Sequence, residues 1–267
     1  VTFAYTMFIN NDMLSEAGIQ QPPTYRSEFL AAVKALTNPD ANQYGWVLPL
    51  SLQSPNGIQN DVMSWVWASG GSMMNPDGTP NVNNETVARA VDYIKEMYDM
   101  GVISPGSFSK QEQDKVEEFV NCRVAMMVDT LAHITMIRDR NPELNFTVSA
   151  VPAEDGYEGS RGMVYAAWGI GVNENSKHKE EAWKLVEFLM SPEINARLAT
   201  IANAFPGNTK AAPDYSAADV IFNKAFEIYQ KSYACNEFTG LPVAEELMRI
   251  FAEELQYMLE GNQTTEE

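Results

Sequence analysis

Three pairs of neighbouring acids, Glu117-Glu118, Glu180-Glu181 and Glu245-Glu246, are the first side chains in this sequence that could do chemistry. Glycoside hydrolysis needs two carboxylates facing each other across a bond. Adjacent residues on a helix point in different directions, so a solvated helix face accounts for each pair more simply. Asn75-Pro76-Asp77-Gly78-Thr79 suggests a calcium loop, but the glycine is misplaced and the bidentate acid is absent, which leaves turn chemistry. His133 and His178 are the only histidines and do not form HExxH, so a histidine-rich zinc site cannot be assembled. Cys122 and Cys235 lack CxxC spacing and read as small buried hydrophobes, with one bridge left open. The chain has no GxSxG elbow, no GxxxxGK phosphate loop and no GxGxxG fingerprint. No catalytic residue, metal or cofactor is expected. Recognition chemistry remains, because 5 tryptophans and 11 tyrosines stand among many acids and amides. Such rings can pack on the CH faces of a sugar while Asp, Asn and Gln meet its hydroxyls.

Composition narrows the partners. With 18 basic and 36 acidic residues the net charge is -18, a field that repels phosphate backbones and anionic lipid surfaces and excludes nucleic-acid binding. A hydrophobic content of 45% supports a sizeable core over 267 residues, in one large domain or two modest ones. No apolar run reaches the ~18 residues that read as a membrane span.

The elements that position these side chains follow from periodicity. Val1 to Asn10 alternates like a strand, and Asn10 to Ala17 reads as a short helix closed by Gly18. Thr24 is the expected cap of a helix with Phe29, Ala32, Val33 and Leu36 on one face, which puts Glu28 one place too late for a capping box. Asn83-Asn84 caps a helix through Val87, Val91, Ile94 and Tyr98, and a further helix carries Val116, Phe119 and Val120. Val124 to Val128 is an unbroken apolar run of buried-strand type, and Val148 to Val151 and Ile170 to Val172 read as further strands. Ala182, Leu185, Val186 and Leu189 mark an amphipathic helix, and Ser191-Pro192-Glu193 opens the next. Thr264-Thr265-Glu266-Glu267 has the composition of a helix start. Strands alternating with helices predict a helix-rich α/β chain. The strand at residue 1 and the helix start at the last residues suggest a piece cut from a longer protein, with any signal peptide or anchor upstream.

Several blocks then become specific. Phe8-Ile9-Asn10-Asn11-Asp12-Met13-Leu14-Ser15-Glu16-Ala17-Gly18-Ile19, followed by Pro22-Pro23-Thr24-Tyr25, resembles a segment of the family 1 extracellular solute-binding proteins that reads approximately YNKDLFEKAGL and then PPKTW. Trp67-Ala68-Ser69-Gly70-Gly71, Phe119 to Met126 (compare FxxGKxAM), Trp168-Gly169-Ile170-Gly171-Val172, Glu181 to Leu189 with Ser191-Pro192-Glu193, Phe205-Pro206 and Gly261 to Glu267 follow in the family order. The resemblance covers nearly the whole chain.

It implies a type II periplasmic-binding-protein-like fold. Two α/β lobes joined by a hinge close on a solute, most often a sugar or oligosaccharide, and hand it to the permease of an ABC importer. Residues 1–10 would be a hinge strand and a remnant of an incomplete N-terminal lobe. Residues 11–267 would be mostly C-terminal lobe, with segments returning to the other. A monomer is implied, extracellular or periplasmic, anchored through a lipidated N-terminus outside this sequence.

The same resemblance points to ligand-binding candidates. Trp168, at a strand end near the hinge, either stacks on the solute or fills the core. Asp129 follows the buried strand and either meets a hydroxyl or caps a loop. Tyr5 and Phe3 share a face of the first strand at the cleft, with core packing the alternative. Gln59 and Trp65 lie in a polar stretch that supplies contacts in relatives, Trp65 being better suited to packing, and Asn208 is a loop amide. Trp67 and Trp183 are expected to be structural. In the maltose-binding-like pattern Ala-Met is followed by Gly-x-Trp, whereas Thr130-Leu131-Ala132 and His133 stand here, so that stacking tryptophan is absent and the ligand's class and size stay open. A carbohydrate-active enzyme and a sensory or adhesive surface protein are the other readings.

Overall fold

A computed structural model of the chain describes residues 1–216 and 218–266. Its centre is β1 (Thr2–Asn10), buried at every residue except the half-exposed Tyr5. Alternation sends Met7 and Ile9 into one hydrophobic cluster and Ala4 and Phe8 into another, so the strand is covered on both faces. Along one edge β1 pairs antiparallel with β3 (Val124–Thr130). Along the other it pairs antiparallel with β4 (Phe146–Ser149) at its C-terminal half and with β5 (Gly162–Ala167) at its start. Parallel pairings of β2 (Tyr44–Trp46) with β3 and of β6 (Tyr233–Cys235) with β5 complete a mixed sheet in the order β2-β3-β1-β5-β6.

Helices cover both faces. Beside the first cluster lie α2 (Arg26–Leu36), α3 (Met63–Trp67), α4 (Glu85–Asp99) and α10 (Ala244–Leu259). The second cluster is covered by α5 (Glu112–Val120), α6 (His133–Arg140) and α9 (Val220–Gln230). Two helices, α7 (Lys179–Met190) and α8 (Pro192–Ile201), add no residue to either cluster. The short α1 (Asn11–Glu16) continues directly from β1, because the Asn10 side chain accepts from the amides of Asp12 and Met13 and so replaces two missing helical acceptors. Gly18, at φ 74°, lets the chain leave α1 in the left-handed conformation.

Three boundaries and two elements differ from the sequence expectation. The cap of α2 is Tyr25, not Thr24, which puts Glu28 at the third helical position, where its carboxylate accepts from the Tyr25 amide at 3.2 Å and the Thr24 amide at 2.7 Å. The apolar strand runs two residues past Val128, so Asp129 and Thr130 lie inside β3. The strand expected at Val148–Val151 is set earlier, at β4. No strand forms at Ile170–Val172, which has no strand partner among the described residues. At the chain's end Thr264 to Glu266 form no helix, and the Thr265 hydroxyl donates to Asp92 of α4; Glu267 lies outside the described residues. Both cysteines are free thiols, Cys235 buried as expected but Cys122 exposed in a turn.

Candidate functional site

The first part of the site is aromatic and grows from the start of β1. Phe3 and Tyr5 lie two residues apart and share a face. Phe3 is buried, and the ring of Trp168 meets it edge-on at 5.0 Å between centroids. Trp168 directly follows β5, and its amide donates to the Val1 carbonyl at 3.0 Å, so the β1–β5 ladder extends by one bond and holds the indole at the sheet end. The indole is 69% exposed, which removes the core-filling alternative. Along the same strand the Tyr5 hydroxyl accepts from Asn60 Nδ2 at 3.4 Å. Asn60 belongs to a π-helical turn, Ile58–Val62, that runs into α3. Its neighbour Gln59 is half-buried and accepts from the exposed Thr239 hydroxyl at 3.3 Å. Phe3, Tyr5, Gln59 and Trp168 thus belong to one region around the first residues of β1.

The second part is charged. Asp129 is fully buried, and its pairing opposite Thr6 turns it to the sheet face that Tyr5 does not use. Both carboxylate oxygens lie near His133 Nδ1, at 3.0 and 2.8 Å. The imidazole, in the first turn of α6, is partly open to solvent. Asp129 therefore orients a ring that can be reached and is not itself reachable. Nearby, Lys115 of α5 is entirely buried, with Nζ 3.0 Å from Asp61 and 2.7 Å from Glu112. Asp61 Oδ1 and Glu112 Oε1 have no hydrogen-bond partner in the protein.

Burial and charge act against each other in this cluster. Burial alone would lower the Lys115 pKa, but Asp61, Glu112 and Asp129 surround the ammonium and hold it above its ordinary value. For Asp61 the desolvation wins, and its carboxyl is pushed well above the usual range. Burial disfavours the imidazolium of His133, yet the hydrogen bond and charge of Asp129 more than reverse that and raise its pKa. The Tyr5 phenol is raised, chiefly by burial and then by the charge of Glu112.

The remaining sequence candidates fall elsewhere. Trp65 is fully buried and packs against Phe29 at 4.9 Å, Trp46 at 5.5 Å and Tyr93 at 5.2 Å, so it is a core residue with no face for a ligand. Asn208 uses its side chain locally, donating to the Met190 carbonyl at 2.6 Å and accepting from the Lys210 amide at 2.8 Å, and so ties its loop to the end of α7. Trp67 is buried as expected, whereas Trp183, read as structural, is 54% exposed. The acid pair Glu117-Glu118 diverges as helix geometry requires, but Glu118 is not on a solvated face: it is buried against Lys110 at 3.2 Å and accepts from the Ser104 hydroxyl. Sequence reasoning passed over Asn60, Asp61, Glu112 and Lys115. Only the spacing of Glu112 and Lys115, one helical turn apart, could have hinted at a pair.

This arrangement offers an exposed ring, a phenol, amides and an imidazole held by a carboxylate, which suits recognition of a polar molecule with an apolar face. Among the described residues, no group of three or more His, Cys, Asp or Glu side chains is placed to hold a metal ion, and no helix is long and apolar enough to cross a membrane.

Comparison with known proteins places the fold. A chain from Agrobacterium radiobacter solved with ribitol superposes with a TM-score of 0.81 at 21% identity, covering 99% of this chain and 66% of that one. A Thermotoga lettingae ABC transporter solute-binding protein, solved with α-D-tagatose, gives 0.82 at 21% identity over 99% of this chain and 67% of its own. The Listeria monocytogenes ABC substrate-binding protein solved with cycloalternan gives 0.80 at 22% identity over 99% and 66%. At these identities the likeness shows the periplasmic-binding-protein-like α/β fold. A Brucella abortus protein designated a binding protein is 30% identical over 211 residues, 78% of this chain and 50% of its own, so this chain spans about half the length of the curated relatives it matches. A family profile described as bacterial extracellular solute-binding protein matches residues 2–225. The chain therefore belongs to the bacterial extracellular solute-binding protein family.

Proposed function

We propose that this chain is the solute-gripping part of an extracellular receptor that captures a sugar or oligosaccharide and delivers it to the permease of an ABC importer. The single observation that carries the reading is Trp168, a tryptophan 69% exposed yet held edge-on by the buried Phe3, on the strand that also carries Tyr5. An aromatic face fixed at a strand end, with hydrogen-bonding groups around it, is what the CH face and hydroxyls of a sugar require. The ligands bound in the structural neighbours, α-D-tagatose, cycloalternan, ribitol and maltose, are carbohydrates or a polyol.

In this reading Trp168, Phe3 and Tyr5 form the stacking side, and Gln59 with the Asp129-oriented His133 supplies polar contacts. Trp65 and Asn208 are left to packing and loop structure. Residues 1–10 act as hinge strand and remnant of one lobe, and residues 11–267 as mostly the other, with segments that return. Closure over the solute is favoured because contacts from both lobes exist only in the closed state. The protein works as a binder, not a catalyst, and as a monomer, held outside the cytoplasm through a lipidated N-terminus carried elsewhere in the polypeptide.

The test is a thermal-shift screen of the whole gene product against monosaccharides, polyols and oligosaccharides. A ligand at about a hundred times its Kd stabilises by roughly 2.7 kcal/mol, a clear rise in Tm. No shift with any sugar or polyol would end this assignment.

A further inference from the structure

The turn that carries Gln59 and Asn60 is irregular, and a buried charge anchors it. Residues Ile58–Val62 are π-helical, and the Met63 amide closes the turn on the Ile58 carbonyl. Such turns are rare and occur mostly singly, often at functional sites. Just ahead, Gly57 lies so close to the Pro49 carbonyl that a Cβ there would collide with it, which fixes the entry. Between the ends, three consecutive side chains reach three separate elements. Gln59 accepts from the Thr239 hydroxyl ahead of α10 at 3.3 Å, Asn60 donates to the Tyr5 hydroxyl of β1 at 3.4 Å, and Asp61 accepts from Lys115 of α5 at 3.0 Å. The first two contacts are long for hydrogen bonds. The third is normal in length and sealed, with both side chains 0% exposed.

Stability does not account for this ion pair. A buried pair is commonly no more stable than well-packed apolar groups of the same volume, and here Asp61 Oδ1 and Glu112 Oε1 are left over without a partner. What the pair supplies beyond an apolar contact is a fixed point. Lys115 Nζ, held from its other side by Glu112 at 2.7 Å, pins the Asp61 carboxylate and with it the turn on which Gln59 and Asn60 stand. We infer that Lys115 is a positioning residue for solute binding: sealed out of the solute's reach, it sets through Asp61 the place of Gln59 and of the Asn60 amide that meets Tyr5. The inference deepens the receptor reading above and rests on it.

The experiment separates position from stability in the product of the whole gene. Lys115→Met combined with Asp61→Leu replaces the pair by apolar groups. Asp61→Leu alone leaves Lys115 its partner Glu112, so the test does not depend on one variant folding. A panel of monosaccharides, polyols and oligosaccharides that includes α-D-tagatose, ribitol and maltose is titrated calorimetrically into parent and variants. Urea midpoints and hydrogen exchange of the Met63 amide are measured beside it. The double variant should keep most of the parent's urea midpoint. Both variants should bind the panel member that the parent binds best roughly ten-fold or more weakly, and exchange the Met63 amide faster. Affinity within about two-fold of the parent's in a folded variant would overturn the inference and leave the receptor reading standing. A parent that binds no member of the panel would remove the receptor reading and the binding role with it. Met63 exchange unchanged in the variants would remove the clamp itself.

Discussion

At the Thr130 end of β3 the chain buries Lys115, Asp61 and Asp129, whereas along residues 168–201 it leaves Trp183, Phe188 and Ile201 in solvent. Both regions depart from the ordinary sorting of side chains, in opposite directions. In the first, most of the departure is compensated within the chain: each buried charge has a partner of opposite sign, although Asp61 Oδ1 and Glu112 Oε1 are left without a hydrogen bond. In the second, the described chain covers the apolar side of α7 only in part: Ala182, Val186 and Leu189 are half-buried, while Leu185 and Phe188 stay exposed. A buried polar group must be satisfied by the fold that buries it, whereas an exposed apolar group can wait for a later contact, because its exposure costs only about 25 cal/mol per Å².

The largest expected effect comes from the charged region. Lys115→Ala leaves Asp61 buried and unpaired and should cost roughly 3–5 kcal/mol in urea denaturation, much of it recovered by Lys115→Met combined with Asp61→Leu. A loss under about 1 kcal/mol would mean that the pair behaves as a solvated one, and the contrast would break. Trp65→Ala opens a cavity among Phe29, Trp46 and Tyr93 and should cost about 3–5 kcal/mol by the same assay.

A smaller effect separates the groups within the charged region. The pKa of His133 is raised in the folded state, so its pairing with Asp129 contributes stability that is fully present below the unfolded value of 6.5 and is lost as pH rises through the folded value. The urea midpoint of the parent should exceed that of His133→Gln by more at about pH 5.5 than at about pH 8.5. A gap independent of pH would show that the imidazole acts through packing alone.

The smallest stability changes belong to the exposed region. Trp183→Ala and Trp168→Ala should each leave stability within about 0.5 kcal/mol of the parent. The two then diverge: Trp168→Ala should abolish the sugar-induced rise in Tm of the whole gene product, and Trp183→Ala should not. Equal loss in both would remove Trp168 from the site.

Much of this architecture is legible in local pattern. The alternation of β1, the apolar run of β3, the Asn84 cap of α4 and the turn at Asn75 to Thr79 all formed as their residues suggest, because each depends on neighbours a few positions away. The strand expected at Ile170–Val172 failed for the opposite reason, since a strand exists only where a second one meets it. The site candidates divide along the same line. Phe3, Tyr5 and Trp168 were candidates through the family resemblance, whereas nothing local marked Lys115 as buried, because its ion partner Asp61 lies 54 residues away.

The amino-acid order alone therefore determined the long amphipathic helices, the extended character of β1 and β3, the strongly acidic charge, and the family to which the blocks belong. Only the tertiary structure decided which tryptophans are core and which are exposed, that Asp129 serves His133 and not the solvent, and where apolar surface is left uncovered. Periodicity and capping act over a few residues, whereas burial, ion pairing and strand partnership are properties of segments brought together from distant parts of the chain.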